Sequence, residues 1–276
     1  LFKYIDIASY QAGLKLDGAE FVMIKATEGI SYVDPYYVGW VNECKSKGIP
    51  YGAYHYMDAS MDPYEQADHC MKVVQDPQAP IMLDVEVQEV RAADITDFMG
   101  RLEQQGFNPR LLYYPRWLQQ DTGIALWPFV ARGWLIVSSA YVNAYSDSGV
   151  GWEVYGEVTP SVWQYSSSYL FNGQRVDVNA YKGTKEEFLN LMGVNGMSEI
   201  KYHEGTKVEP DTTVLADLGD LRDLLFTKPS ELAAQKLPAI PEGSVLDLLL
   251  KGAQSQSASA VDIAAELIKQ LGPKTS

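Results

Sequence analysis

The chain is poor in the residues that cross-link a fold or hold metals: two cysteines, Cys44 and Cys70, and three histidines, His55, His69 and His203, in 276 residues. Two cysteines cannot make a disulfide framework. Both fall in expected helices, as buried free thiols or as one bridge between neighbouring helices. The histidines lack metal-ligand spacing, so neither a metal nor a cofactor is expected. No apolar run reaches the roughly 18–20 residues of a membrane helix, so no membrane span is expected. Basic residues number 22 against 36 acids, a formal net charge of -14. Nucleic-acid binders gather basic stripes; none is visible, which argues against a nucleic-acid partner. Glycine-rich dinucleotide and Walker motifs are missing. So is a GxSxG elbow, and neither cysteine stands beside a candidate base. No charged-then-apolar leader opens the chain, which starts at Leu1, so export would need a removed leader or another route.

What the chain does have is an ordinary globular balance, 46% hydrophobic, enough for a full core. From residue 1 to about 190, strand-like segments alternate with helical ones. Strands are expected at 3–9, 20–27, 50–57, 80–87, 110–115, 133–140, 161–167 and 175–181. Helices are expected at 34–47, opened by Asp34-Pro35, and at 62–75, opened by Asp62-Pro63 with Glu65 in its first turn. A third, 92–106, has Ile95, Phe98, Met99 and Leu102 at helical spacing and ends at Gly106. Such alternation predicts the α/β class: a parallel sheet covered by helices. The stretch 141–160 has no helical period, so the last strands should follow one another through loops.

Composition changes near residues 192–200, and only one aromatic, Phe226, follows Tyr202. Leu218, Leu221 and Leu225 form one apolar stripe, and Val261, Ala264, Leu267 and Leu271 another, with prolines 229, 238 and 241 between. The expected organisation is a barrel over 1–196 and a small all-helical module over 197–276, serving binding or oligomerisation, the latter as a homo-oligomer through these helices. A module of this size is marginal alone.

The stretch "PIMLDVEV" (80–87) sets Asp84 and Glu86 into an otherwise apolar strand. Burying a carboxylate costs several kcal/mol unless it is paired, hydrogen-bonded or protonated. Residues two apart on a strand face the same way, ~6.5 Å apart, and parallel barrels carry their chemistry at the strands' C-terminal ends. Asp6 in "YIDIAS" and Asp177 in "RVDVNAY" occupy comparable places on the first and last strands. If the sheet closes, these two meet at the seam, with Asp84 and Glu86 facing them across the mouth. Carboxylates so crowded cannot all ionise cheaply, so at least one pKa should rise and supply an acid near neutral pH. Glu89 and Asp94 read as loop or cap residues.

These residues also carry a resemblance. "YIDIASYQ", "MIKATEG", "DPYYVGWVNECKSKGIPYGAYHYM", "IMLDVEV", "VWQYS" and "RVDVNAY" occur in an order that resembles glycoside hydrolase family 25, the muramidase-type lysozymes that include many phage endolysins. The resemblance spans residues 3 to about 190. It implies a modified TIM-like barrel of eight strands with reduced outer helices. It implies hydrolysis of the β-1,4 bond from N-acetylmuramic acid to N-acetylglucosamine, so the partner would be bacterial peptidoglycan. The place of action would be the bacterial cell wall, reached by secretion or by release from a host cytoplasm during phage lysis. The family's acid falls on Glu86, its partner on Asp84 and the flanking pair on Asp6 and Asp177. Substrate-binding residues at the mouth would be Gln11, Tyr54, Tyr114, Trp163 and Gln164. Carboxyls ~5 Å apart suit a covalent retaining route and ~6.5–9.5 Å an inverting one. The substrate's own acetamido group, oriented by Asp84, offers a third route, which is favoured here. Two other readings stay open: a non-catalytic carbohydrate-binding barrel and a chitinase-like glycosidase.

Overall fold

In the computed structural model, which describes residues 1–142 and 144–194, all eight expected strands form and close into a barrel. The first strands are β1 (Phe2–Ile7) and β2 (Val22–Glu28), and a two-residue β3 (Tyr32–Val33) pairs antiparallel with β2. Then follow α1 (Tyr37–Lys47), β4 (Tyr51–Tyr56), α2 (Pro63–Val74), β5 (Pro80–Asp84), α3 (Ala92–Gln104) and β6 (Asn108–Tyr113). After α4 (Arg116–Thr122) and α5 (Trp127–Val130) come β7 (Leu135–Ser139), β8 (Val162–Phe171), β9 (Gln174–Tyr181) and α6 (Lys185–Met192). The barrel order is β1-β9-β8-β7-β6-β5-β4-β2, and β1 pairs with β2 to close the ring.

The sheet is not wholly parallel, as the alternation led one to expect: β9 runs antiparallel to both β8 and β1. The cause is the connection. Asn172 and Gly173, with φ of 43° and 83°, form a tight turn between β8 and β9. A parallel neighbour would need a crossover of a dozen residues or more, whereas a two-residue turn joins antiparallel strands. The hairpin reaches beyond the end of β1, and Asn172 Nδ2 ties it back by donating to the carbonyls of Lys15 and Asp17.

Strand alternation sorts the apolar residues into two layers. Phe2, Tyr4, Phe21, Met23, Met82, Leu111, Val137 and Val162 fill the barrel interior, and Phe188 and Met192 of α6 join the same cluster. Ile5, Ile24, Ile81, Leu83, Leu112 and Ile136 face outward onto Trp40, Cys44, Cys70, Phe98 and Leu102 of the helices. Cys44 and Cys70 are buried free thiols, so no bridge joins α1 and α2. Asp62 caps α2 as expected, accepting from the Tyr64 and Glu65 amides. Asp34 does not cap α1: it is buried and accepts from the amides of Ser9 and Tyr36, which anchors the loop leaving β1.

On the side of β7, β8 and β9 a loop replaces the helix. Trp152, from a 3-10 turn at Val150–Trp152, packs with Trp163 and Tyr165 on the outer face. This decides the place of Trp163, expected at the mouth. It points outward, fully buried, and its Nε1 donates to the Ala140 carbonyl. Tyr114 is likewise turned outward into the layer under the helices, its hydroxyl against Thr122 Oγ1 at 2.8 Å. In both cases a neighbouring residue, Gln164 or Tyr113, takes the inward position. The helical module expected over 197–276, with its proposed self-association, lies outside the described residues.

Gly149 and Gly151 rest directly on the Trp163 ring, and a Cβ at Gly151 would stand 2.1 Å from the indole nitrogen. Gly151→Ala should therefore force the loop off the barrel and cost about 1–3 kcal/mol, as overpacking does. Urea unfolding would read this as a lower midpoint, and an unchanged midpoint would show that the loop is not the barrel's cover.

Candidate active site

The inward positions change character towards the end of the barrel where the parallel strands terminate. Below lie Met23, Met82 and Leu111; above them come Asp6, Lys25, Tyr54, Asp84, Tyr113, Gln164 and Asp177. Together with Tyr10, Gln11, Glu28, Tyr56, Glu86 and Tyr141 these line a cleft of ≈ 400 Å³.

Register brings the acids together. Asp6 pairs directly with Asp177 across the β1–β9 seam. Asp84 closes β5, between Tyr56 of β4 and Tyr113 of β6. Glu86 lies just past the strand, which ends at Asp84 rather than Val87, yet its side chain still reaches the Asp84 carboxyl. The mouth thus sets the carboxyls against one another in two neighbouring pairs, Asp6 with Asp177 and Asp84 with Glu86. Two carboxyls so placed cannot both ionise cheaply.

All four groups bind protons more tightly than free carboxylates do, chiefly because burial penalises the charge. Asp177 is pushed up to about 8 by burial, then by the Asp6 charge and hydrogen bond and the Glu86 charge. Asp84 rises well above the carboxylate range through burial, then the charges of Glu86 and Asp6, with Lys25 opposing. Glu86 is raised by burial and the Asp6 charge, against the hydrogen bond from Asp84 and the Lys25 charge. Burial also raises Asp6, but hydrogen bonds from Asn179, Gln164 and Asp177 work against it. Both members of the second pair are thus raised, and Asp84 is the more deeply buried of the two. Asp84 is 8% exposed, and its Oδ1 has no hydrogen-bond partner among the described residues.

Of the expected binding residues, Gln11, Tyr54 and Gln164 line the cleft, whereas Tyr114 and Trp163 do not. Gln11 also braces the rim, accepting from the Ala8 amide and donating to the Arg175 carbonyl. Sequence reasoning missed Tyr10, Lys25, Glu28, Tyr113, Tyr141 and Asn179. Lys25 carried the same signal as Asp84, a charge inside the apolar run "EFVMIKAT". Its ammonium bonds Glu28 at 2.7 Å and lies 5.0 Å from the centre of the Tyr56 ring. Among the described residues no group of three His, Cys, Asp or Glu side chains is arranged to hold a metal ion.

A sequence profile of glycosyl hydrolases family 25 matches residues 4–174, more than half of the chain, including Asp6, Asp84 and Glu86. The chain belongs to this family. Among curated proteins it is 27% identical over 199 residues to the uncharacterized protein YegX of Escherichia coli (strain K12), covering 65% of each chain. It therefore spans less than two thirds of that relative's length. It is 28% identical over 200 residues to an N,O-diacetylmuramidase from Chalaropsis sp, covering 63% of this chain and 92% of that protein. Among solved structures, the muramidase from Trichobolus zukalii superimposes with a TM-score of 0.58 at 24% identity, covering 70% of this chain and 99% of that one. That likeness establishes the shared fold of this family 25 barrel.

The raised carboxyls bear on stability. A group that binds its proton more tightly folded than unfolded leaves the folded state with more protons between the two pKa values, so stability falls as pH rises through that window. For Asp177 the window runs from the ordinary carboxylate value of about 4 up to about 8. Unfolding free energy should fall as pH rises from about 5 to 8, and Asp177→Asn should flatten that slope by up to about 1.4 kcal/mol per pH unit. Urea titrations at several pH values measure both, and an identical slope in the variant would mean that Asp177 is not a buried proton holder.

Proposed function

We propose that this family 25 barrel is a muramidase, a glycoside hydrolase that cleaves the β-1,4 bond from N-acetylmuramic acid to N-acetylglucosamine in peptidoglycan. The observation that carries the reading is the pairing, in one cleft, of a buried carboxyl with an unpartnered oxygen, Asp84, and a more open neighbouring carboxyl, Glu86. The Chalaropsis relative, named an N,O-diacetylmuramidase, supports the same substrate class.

The chemistry follows from that pair. A substrate acetamido group has one N–H to donate, and Asp84 Oδ1 is a buried acceptor without one. Accepting it favours the ionised form of Asp84, whose charge in turn favours the protonated form of Glu86. The acetamido oxygen attacks the anomeric carbon while the bond to the leaving oxygen breaks and that oxygen takes the Glu86 proton. Positive charge on the resulting ring is balanced by Asp84 and by Asp6. Glu86, now a carboxylate, takes a proton from the water that opens the ring and is restored.

In this reading the protein works at the bacterial cell wall, after secretion or after release during phage lysis. The leucine stripes of 197–276, with Phe226 the one aromatic after Tyr202, suit assembly between copies better than sugar stacking. Light scattering of the full chain against a 1–196 truncation distinguishes these roles.

Glu86→Gln should lower turnover of purified peptidoglycan roughly a hundred- to ten-thousandfold, the usual worth of a positioned general acid. Mass spectrometry of the released muropeptides should find new reducing ends on muramic acid. Full activity in the variant removes Glu86 from the role; faster turnover of chitin than of peptidoglycan replaces the substrate.

A further inference from the structure

Gln164 lines the cleft, and its amide is also engaged by the protein itself. It is 4% exposed. Its Oε1 accepts from the Tyr113 hydroxyl at 3.0 Å and the Tyr141 hydroxyl at 2.9 Å, and its Nε2 donates to Asp6 Oδ2 at 3.0 Å. A glutamine amide has one acceptor end and one donor end. With two hydroxyls donating to the first, the second must face Asp6. Asn179, 2% exposed, adds a second amide donor to the same carboxylate oxygen at 2.6 Å. Two elements besides its own therefore direct N–H groups at Asp6, while its partner Asp177 meets it from β9.

We infer that Gln164 is a positioning residue: clamped by Tyr113 and Tyr141, it fixes Asp6 as the negative member and Asp177 as the proton-bearing member of the seam pair. When two carboxyls share a proton, the surrounding donors decide which oxygen goes without it, and here both amides point at Asp6. The titratable groups facing Asp6 are Tyr4 on its own strand, Tyr54 from β4, Asp84 and Glu86 from β5 and the loop after it, Tyr141 from the segment after β7, and Asp177 from β9. The cation lining the same cleft, Lys25 of β2, is bonded to Glu28 at 2.7 Å and acts on Asp84 and Glu86, so the hydrogen bonds that reach Asp6 come from the two amides. A charge pinned at Asp6 also strengthens the hold of Glu86 on a proton. Gln164 thus reaches the proposed acid through Asp6, without touching it. That last consequence rests on the muramidase reading; the placement of the charge does not.

The test is a carbon-13 NMR titration of the side-chain carboxyls in the full chain. Gln164→Met keeps the length of the side chain and removes its N–H, and should raise the midpoint of the first deprotonation of the Asp6–Asp177 pair by about one pH unit, the scale of one hydrogen bond to a charged group. Tyr113→Phe/Tyr141→Phe, which removes neither donor to Asp6, should raise it by a smaller amount because the freed amide can turn. Tyr141→Phe alone, at a half-exposed ring, should show the same direction and keeps the test readable if Gln164→Met does not fold. A purely packing role for Gln164 would lower thermal stability in these variants without moving the carboxyl titration, and that result overturns the inference. A shift in Gln164→Met with none in the tyrosine variants overturns the clamp. Because the titration is read on the free protein, loss of the muramidase assignment would leave its outcome intact, and the two can fail separately.

Discussion

Every second side chain of a closed eight-strand sheet must point into its interior, and the rest of this structure follows from what the chain puts there. Low in the barrel the inward positions are aromatic or apolar, and α6 adds Phe188 to the same cluster. Higher up the same rows carry acids, amides and tyrosines. Charges in such a place are poorly hydrated and cannot be left unpartnered. The molecule meets that constraint by raising the proton affinity of all four carboxyls and by turning amide donors onto one of them. The unusual proton affinities of the site are thus a consequence of barrel closure, since the strands bring the acids together where water is scarce.

The helix-poor side has its own logic. A parallel β9 would have needed a crossover helix over β8 and β9. The Asn172-Gly173 turn makes β9 antiparallel instead and leaves its outer face to the loop carrying Trp152. Covering that face takes Trp163 out of the mouth, because the indole is needed on the outside as a core residue. The same reversal carries the hairpin beyond the mouth, where Gln11 and Asn172 fasten it to the segment after β1. One short turn therefore shapes both the cover of the barrel and one wall of the cleft.

Much of this was legible in the residues, unevenly. An acid inside an apolar strand is a strong signal because burial of a charge is costly, and it located Asp84 and, less strongly, Asp6 and Asp177. Applied to Lys25, the same rule would have found a further member of the cleft. The Asn-Gly pair at 172–173 is a hairpin signal that predicts the antiparallel strand. Tyr113 and Tyr114 are different: both are tyrosines, adjacent in one strand, and their faces depend on the register of β6 against Asp84. Asp34-Pro35 looks like a helix opening, yet Asp34 is taken by a backbone amide 25 residues away at Ser9.

By itself, the sequence determined the strand segments, the α/β class, the loss of helices late in the barrel and the acids that gather at its mouth. Those follow from local periodicity and from the energetic cost of a charge among apolar neighbours, both readable along one dimension. Only the tertiary structure decided which tyrosine faces inward, that Asp84 is the more buried member of its pair, and that the Gln164 amide donates to Asp6. Each of these depends on what the neighbouring strand places within about 3 Å, and pairing register across a closed barrel is not written in any single strand.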